Sequence, residues 1–136
     1  MANLDEDTRR RIQHNAALVV EQMQSLTDFD FGYDEASVSW LDGYINRMRT
    51  QKELTSEKTE SSVQVLASYL GECIIHTYGG RWDDEGGEIA VLFSKGNSVY
   101  PFNKVKKQFA NGSEDSINSL FTLIPIVFAA HMEPAA

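Results

Sequence analysis

Hydrophobic residues recur every three or four positions over the first part of the chain, which is typical of amphipathic helices. This spacing predicts helices at residues 4–26, 35–50 and 62–78. The predicted apolar face of the first helix contains Ile12, Ala16, Val19, Met23 and Leu26. Asp34 is the expected N-cap of the second helix, because its side chain can accept a hydrogen bond from the first turn. Gly79 and Gly80 are expected to end the third helix.

The pattern changes to a period of two after Gly80, which indicates β-strands. Strands are predicted at residues 81–83, 88–94 and 98–102, with turns at 85–87 and 96–97. Asn103 and Ser113 are the expected caps of two further helices, the first at residues 104–110. Helices, then strands, then helices predict an α+β fold with a three-stranded antiparallel meander packed against about five helices, in the order ααα-βββ-αα.

The chain length of 136 residues and the hydrophobic content of 42% fit one globular domain. Within this single domain, residues 1–27 form the N-terminal helix, residues 28–131 form the core, and residues 132–136 are predicted to be a disordered tail. The polar stretch at residues 51–61 is the best candidate for a flexible loop, although part of it can begin the third helix.

The excess of acidic over basic residues indicates which classes of molecule the protein is suited to bind. A net charge of −8 disfavours nucleic acids and anionic membrane surfaces, which recruit clustered lysines and arginines. The negative charge is compatible with a basic protein partner, or simply with solubility. A single cysteine, Cys73, and an N-terminus without an apolar signal segment predict a cytoplasmic location. No cofactor motif is present, and the sequence leaves the oligomeric state open.

The first candidate site lies on the third helix and contains four residues, namely Tyr69, Glu72, Cys73 and His76. Cys73 can be a nucleophile with His76 as its base, or it can be a buried core residue. The spacing of Tyr69, Glu72 and His76 places them on one helix face. A Glu–His pair can act as a general acid and base, or it can bind a metal ion with Asp83 or Asp84 as a third ligand. In the structural alternative, Glu72 anchors a neighbouring segment by accepting hydrogen bonds. No residue is assigned a catalytic or metal-binding role.

Acidic and aromatic residues alternate in two further segments. Asp28, Asp30, Asp34 and Glu35 surround Phe31 and Tyr33, while Trp82 precedes Asp83 and Asp84. Aromatic side chains concentrate at protein-binding hot spots, and carboxylates steer basic partners. The candidate binding residues are therefore Phe31, Tyr33, Tyr69, Glu72, His76, Trp82, Asp83 and Asp84.

Several short motifs together resemble a family of small uncharacterised bacterial domains. The motifs are SVSWLD at residues 37–42, YLGE at 69–72, GGRW at 79–82, PFNKV at 101–105 and NGSEDS at 111–116. The similarity runs from about residue 31 to about residue 128. The resemblance implies a bacterial cytoplasmic protein and implies no activity.

Three functions follow as hypotheses. The preferred one is a small acidic protein that binds a basic protein and blocks or regulates it, for example as an immunity-type inhibitor. The second is an enzyme or metal-binding protein that uses Glu72 and His76. The third is a small-ligand-binding domain with a pocket between the third helix and the sheet, which a groove lined by Glu72, His76 and Trp82 would favour.

Overall fold

The computed structural model describes residues 4–128, and its elements follow the predicted order of helices, strands and helices. The helices are α1 (Glu6–Gln24), α2 (Glu35–Met48), α3 (Ser56–Tyr78), α4 (Pro101–Asn111) and α5 (Ile117–Val127), with a 3₁₀ turn at Gly112–Asp115 before α5. The strands are β1 (Arg81–Glu85), β2 (Glu88–Ser94) and β3 (Asn97–Val99). The α+β prediction is confirmed. The predicted tail at 132–136 lies outside the described residues.

Helix α3 is the centre of the fold. It packs along α1 on one side and against α4 on another, and it also contacts β2 and α5. Its residues Ala67, Leu70 and Ile74 have no exposed surface, as their helical spacing predicts. Because α3 meets so many elements, a side chain on α3 can touch residues from distant parts of the sequence.

The first two helices lie close to the predicted positions. Ile12, Ala16, Val19 and Met23 are buried on α1, whereas Leu26 is 61% exposed. The prediction for Leu26 was wrong because α1 ends at Gln24, so the helical period no longer applies there. Asp34 caps α2 as predicted, with its Oδ1 accepting a hydrogen bond from the Ser37 amide at 2.9 Å.

The third helix begins at Ser56, six residues before the predicted start. Thr55 is its N-cap and accepts a hydrogen bond from the Lys58 amide at 3.1 Å. The first two turns of α3 are almost entirely exposed, so they carry no hydrophobic stripe for a periodicity argument to detect. Much of the predicted flexible loop is therefore helix.

The sheet is an antiparallel meander with strand order β1-β2-β3. Strand β2 has the predicted bounds, and Gly86 and Gly87 form the β1–β2 turn with positive φ angles. Trp82 pairs with Val91 on the face toward the helices, and Asp83 pairs with Ala90 on the opposite face. Strand β3 ends at Val99 instead of residue 102.

The last two helices begin at residues other than those predicted. Helix α4 begins at Pro101, because proline is pre-organised for the first helical position, so Asn103 lies inside the helix and does not cap it. The cap of α5 is Ser116, whose hydroxyl accepts a hydrogen bond from the Ser119 amide at 3.1 Å. Ser113 lies in the 3₁₀ turn and does not cap α5. Within residues 4–128, no helix is long and apolar enough to cross a membrane.

Candidate functional site

Glu72 holds the first strand against the central helix. Its Oε2 accepts a hydrogen bond of 2.7 Å from the indole Nε1 of Trp82, and its side chain is only 12% exposed. The Trp82 ring lies directly on Gly71, where any Cβ would come within 1.9 Å of the ring. Glycine at position 71 thus lets β1 approach α3 closely enough for the bond to form. This geometry agrees with the structural alternative, in which Glu72 anchors a neighbouring segment by accepting a hydrogen bond.

His76 lies beside Glu72 but does not form a hydrogen bond with it. The His76 Nε2 atom is 4.0 Å from Glu72 Oε1, which is too long for a hydrogen bond and gives an ion pair only when the imidazole is protonated. The imidazole ring instead stacks on Tyr33, with a centroid distance of 4.4 Å and an interplanar angle of 8°. Because the Glu72 carboxylate already accepts a hydrogen bond from Trp82, the geometry favours a structural role for Glu72 over acid–base chemistry.

The segment between α1 and α2 crosses the face of α3 that carries Tyr69 and His76. We call residues 28–35 the acidic strap. The Phe31 amide donates to Gln24 Oε1 at 2.7 Å, and the Gly32 amide donates to Ser37 Oγ at 2.9 Å. The Tyr69 hydroxyl donates to the Gly32 carbonyl at 2.6 Å. Three polar side chains from three helices therefore fix the backbone of the strap.

Aromatic rings connect the strap to α3 in a continuous stack. Phe31 contacts Tyr69 at 5.4 Å between centroids, Tyr69 stacks on Tyr33 at 5.5 Å, and Tyr33 stacks on His76. Phe31 and Tyr69 are buried, whereas Tyr33 is half-buried and His76 is exposed. Burial raises the pKa of both tyrosines, so their hydroxyls stay protonated near neutral pH. Only the outer end of this stack reaches solvent.

Three of the four acidic residues in the first hairpin accept hydrogen bonds within the sheet and its turn. Asp83 is completely buried; its Oδ1 accepts from the Asp84 amide at 2.9 Å, and its Oδ2 has no hydrogen-bond partner within residues 4–128. Asp84 accepts from the Gly87 amide at 2.7 Å and so closes the turn. Glu85 accepts from the Ser98 hydroxyl at 2.7 Å. Glu88 is the exposed carboxylate of this group.

The structure groups six of the eight predicted binding residues and separates the other two from them. Asp83 points away from the helix face of the sheet, and Asp84 is bound to the hairpin turn. The remaining six form two linked groups. Ring contacts join Phe31, Tyr69, Tyr33 and His76, and a hydrogen bond joins Glu72 to Trp82. The two groups meet where His76 Nε2 lies 4.0 Å from Glu72 Oε1. In the described part of the chain, no three His, Cys, Asp or Glu side chains are arranged to hold a metal ion.

Cys73 lies in the core and not in a reactive site. Its side chain has no exposed surface, and its Sγ lies 3.8 Å from the Asp34 carbonyl oxygen, to which the thiol donates. Burial raises the pKa of the thiol to about 12. A nucleophilic cysteine requires the thiolate, which this environment disfavours.

A polar network joins α2, α4 and α5, and no local sequence pattern indicates it. Asp42 Oδ2 accepts from the Ser116 hydroxyl and from the Asn118 amide, the latter at 3.0 Å, so Asp42 helps to cap α5. Gln108 has no exposed surface; it donates to Asp42 Oδ1 at 3.2 Å and accepts from the Ile117 amide at 2.8 Å. These partners are more than sixty positions away from Asp42, so no sequence spacing could have indicated the network.

Three surface pockets have volumes of about 300, 660 and 230 Å³, and Glu72, His76 and Trp82 line none of them. A groove lined by these residues would have favoured the small-ligand hypothesis, and none of the three pockets is such a groove. The pocket of about 300 Å³ lies elsewhere, between the N-terminal half of α3, the β1–β2 turn and α4.

Comparison with known proteins adds no family assignment. No family model, no curated protein and no solved structure matches the chain. The resemblance to small uncharacterised bacterial domains therefore stays a prediction, and functional inference rests on the geometry described above.

Proposed function

We propose that this protein binds a basic protein partner through the acidic strap and the exposed end of the aromatic stack. The observation that carries the proposal is the contrast between the strap's backbone and its side chains. The backbone is fixed by hydrogen bonds, whereas Asp28, Asp30 and Glu35 are exposed and form no ion pair within residues 4–128. Blocking or regulating such a partner, as an immunity-type inhibitor does, is the preferred form of this function.

A fixed strap supports binding for an energetic reason. A mobile loop must lose conformational entropy when it binds, and that loss subtracts from affinity. The bonds from Gln24, Ser37 and Tyr69 order the strap before any encounter. The backbone that carries its carboxylates is then ordered in advance, which favours both steering and specificity toward a positive surface.

Tyr33 is the best candidate for an apolar anchor. It is half-buried, and it stacks on both Tyr69 and His76, which hold its ring in place. Pre-ordered aromatic side chains lose little entropy on binding, and tyrosine is enriched at hot spots. Phe31 and Trp82 are buried, so we assign them a supporting role beneath the surface.

The test compares two pairs of charge reversals on the full chain. Asp28→Lys with Asp30→Lys changes the strap, and Glu21→Lys with Glu53→Lys changes exposed carboxylates elsewhere by the same total charge. Wild type and both variants are used to capture partners from lysate of the native cell, and captured proteins are identified by mass spectrometry. We expect a basic protein that is retained by wild type and by the control pair, and lost by the strap pair.

Association rates then distinguish an effect of the strap's own charges from an effect of the protein's net charge. At low salt, the strap pair should slow association with the captured protein about tenfold or more, and the difference should shrink at high salt. Tyr33→Ala should mainly increase the dissociation rate. Equal slowing by the two charge pairs would show that only net charge matters and would remove the proposal.

A further inference from the structure

A groove of about 300 Å³ lies between α3, the β1–β2 turn and α4. Its apolar floor contains Val63, which is buried, together with half-buried Ile89 and Phe102. Gln64 at the groove and His76 at the aromatic stack are twelve positions apart on α3, which corresponds to roughly 18 Å along the helix axis. The groove is therefore separate from the acidic strap, and an inference about it does not depend on the proposed function.

Acidic and basic side chains both line this groove, and in the part of the chain that the structure describes they form no ion pair with one another. Glu60 comes from α3 and Glu88 from the hairpin, whereas Lys106 comes from α4. All three are exposed, and none forms an ion pair within residues 4–128. The α3 and hairpin side of the groove is therefore suited to a cation, and the α4 side is suited to an anion.

The first turn of α4 adds to the positive side of the groove. Its N-cap, Tyr100, makes no side-chain capping bond, and the turn contains no acidic residue. Tyr100, Phe102 and Asn103 all line the groove. The amides of Phe102 and Asn103 belong to the helix end that has no intrahelical acceptor, and the helix dipole is positive there. Lys106 lies one turn further along α4 and reinforces this potential.

We propose that the groove binds a small zwitterion with an apolar body, namely an amino acid or short peptide carrying an aromatic or aliphatic side chain. The ligand's ammonium group pairs with Glu60 and Glu88, and its carboxylate faces Lys106 and the first turn of α4. The apolar body lies on the floor formed by Val63, Ile89 and Phe102. The volume is at the lower end of the range for ligand pockets, about 300–1,000 Å³, which favours a ligand of this size.

The first experiment varies the charges of the ligand. Amide chemical shifts of the full chain are followed during titration with L-phenylalanine, L-leucine and the dipeptide of the two. Phenethylamine and 3-phenylpropionate serve as probes that keep the ring and carry one charge each. We expect at least one zwitterion to shift the amides of Gly87, Glu88 and Asn103, and each singly charged probe to bind about tenfold more weakly or worse.

The second experiment varies the charges of the groove. Glu60→Gln and Lys106→Met should each weaken zwitterion binding about tenfold, since each removes one charged partner and keeps most of the side chain. Glu53→Gln and Lys52→Met are matched controls, because both residues are exposed and lie outside this groove; they should leave binding unchanged.

Three results would overturn the inference. The first is that no zwitterion shifts groove amides at about 10 mM, the weak end of useful ligand affinity. The second is that phenethylamine binds as tightly as the zwitterion, because Lys106 and α4 would then contribute nothing. The third is that the groove variants bind like their controls. None of these results bears on the acidic strap, whose test uses different residues.

Discussion

Replacing Gly71 by alanine is expected to break the closest contact between the sheet and α3. The added Cβ would lie 1.9 Å from Trp82 Cη2 and 2.2 Å from Cζ2, so the indole or the helix must move. Trp82 is 3% exposed and its Nε1 is bonded to Glu72, so the ring cannot move without losing that bond. Overpacking and a lost charge-assisted hydrogen bond outweigh the gain of about 1 kcal/mol in helix propensity. We expect the free energy of unfolding to fall by roughly 2–5 kcal/mol.

Urea denaturation followed by circular dichroism and tryptophan fluorescence measures this loss. Gly43→Ala is the matched control, because Gly43 is also inside a helix and its nearest atom at 3.2 Å is the flexible end of Arg47. It should change stability by no more than about 1 kcal/mol, in the stabilising direction. In a Trp82→Leu background, Gly71→Ala should lose most of its effect. An equal cost in both backgrounds would refute the explanation based on the indole contact.

Three further predictions concern buried polar groups. Glu72→Ala should lower the free energy of unfolding by about 1–3 kcal/mol, and Glu72→Gln should recover most of the loss because its carbonyl can still accept from Trp82; urea titration measures both. Asp42→Ala should cost about 2 kcal/mol or more in the same assay, because α5 loses capping bonds and Gln108 loses a partner. Cys73 should resist iodoacetamide at pH 8 in the native protein and react in urea, since burial raises its pKa to about 12; rapid native alkylation, measured by mass spectrometry, would contradict the buried geometry.

Local patterns in the sequence predicted the elements well where one face of an element is buried. The bounds of β2 could be predicted because its apolar residues, Ile89 to Phe93, are buried or half-buried and lie between two turns that contain glycine. The start of α3 could not be predicted from periodicity, because its first two turns are solvated and carry no apolar stripe. Thr55 was the available signal there, since a capping side chain marks a helix start even when the following turn is polar.

The candidate site was only partly predictable because its contacts are non-local. The sequence correctly placed Glu72 near His76, since four positions along a helix bring side chains to one face. It could not show that Glu72 accepts a hydrogen bond from Trp82, nor that Tyr33 from another segment stacks on His76. Which aromatic side chains are buried depends on what packs above them. Trp82 is buried because Gly71 leaves room for its ring, and neither residue alone carries that information.

The motifs on which the predicted resemblance rests lie where different elements of this fold contact one another. Gly71 and Glu72 from YLGE contact Trp82 from GGRW, and Asp42 from SVSWLD bonds Ser116 from NGSEDS. Each such pair joins segments that are distant in sequence or different in structure, so the motifs specify how the elements pack. The exposed carboxylates of the strap and the charged residues of the α3–α4 groove lie almost entirely outside these motifs. The two proposed binding functions therefore depend on charged residues that can change while the motifs, and the packing that they specify, stay the same.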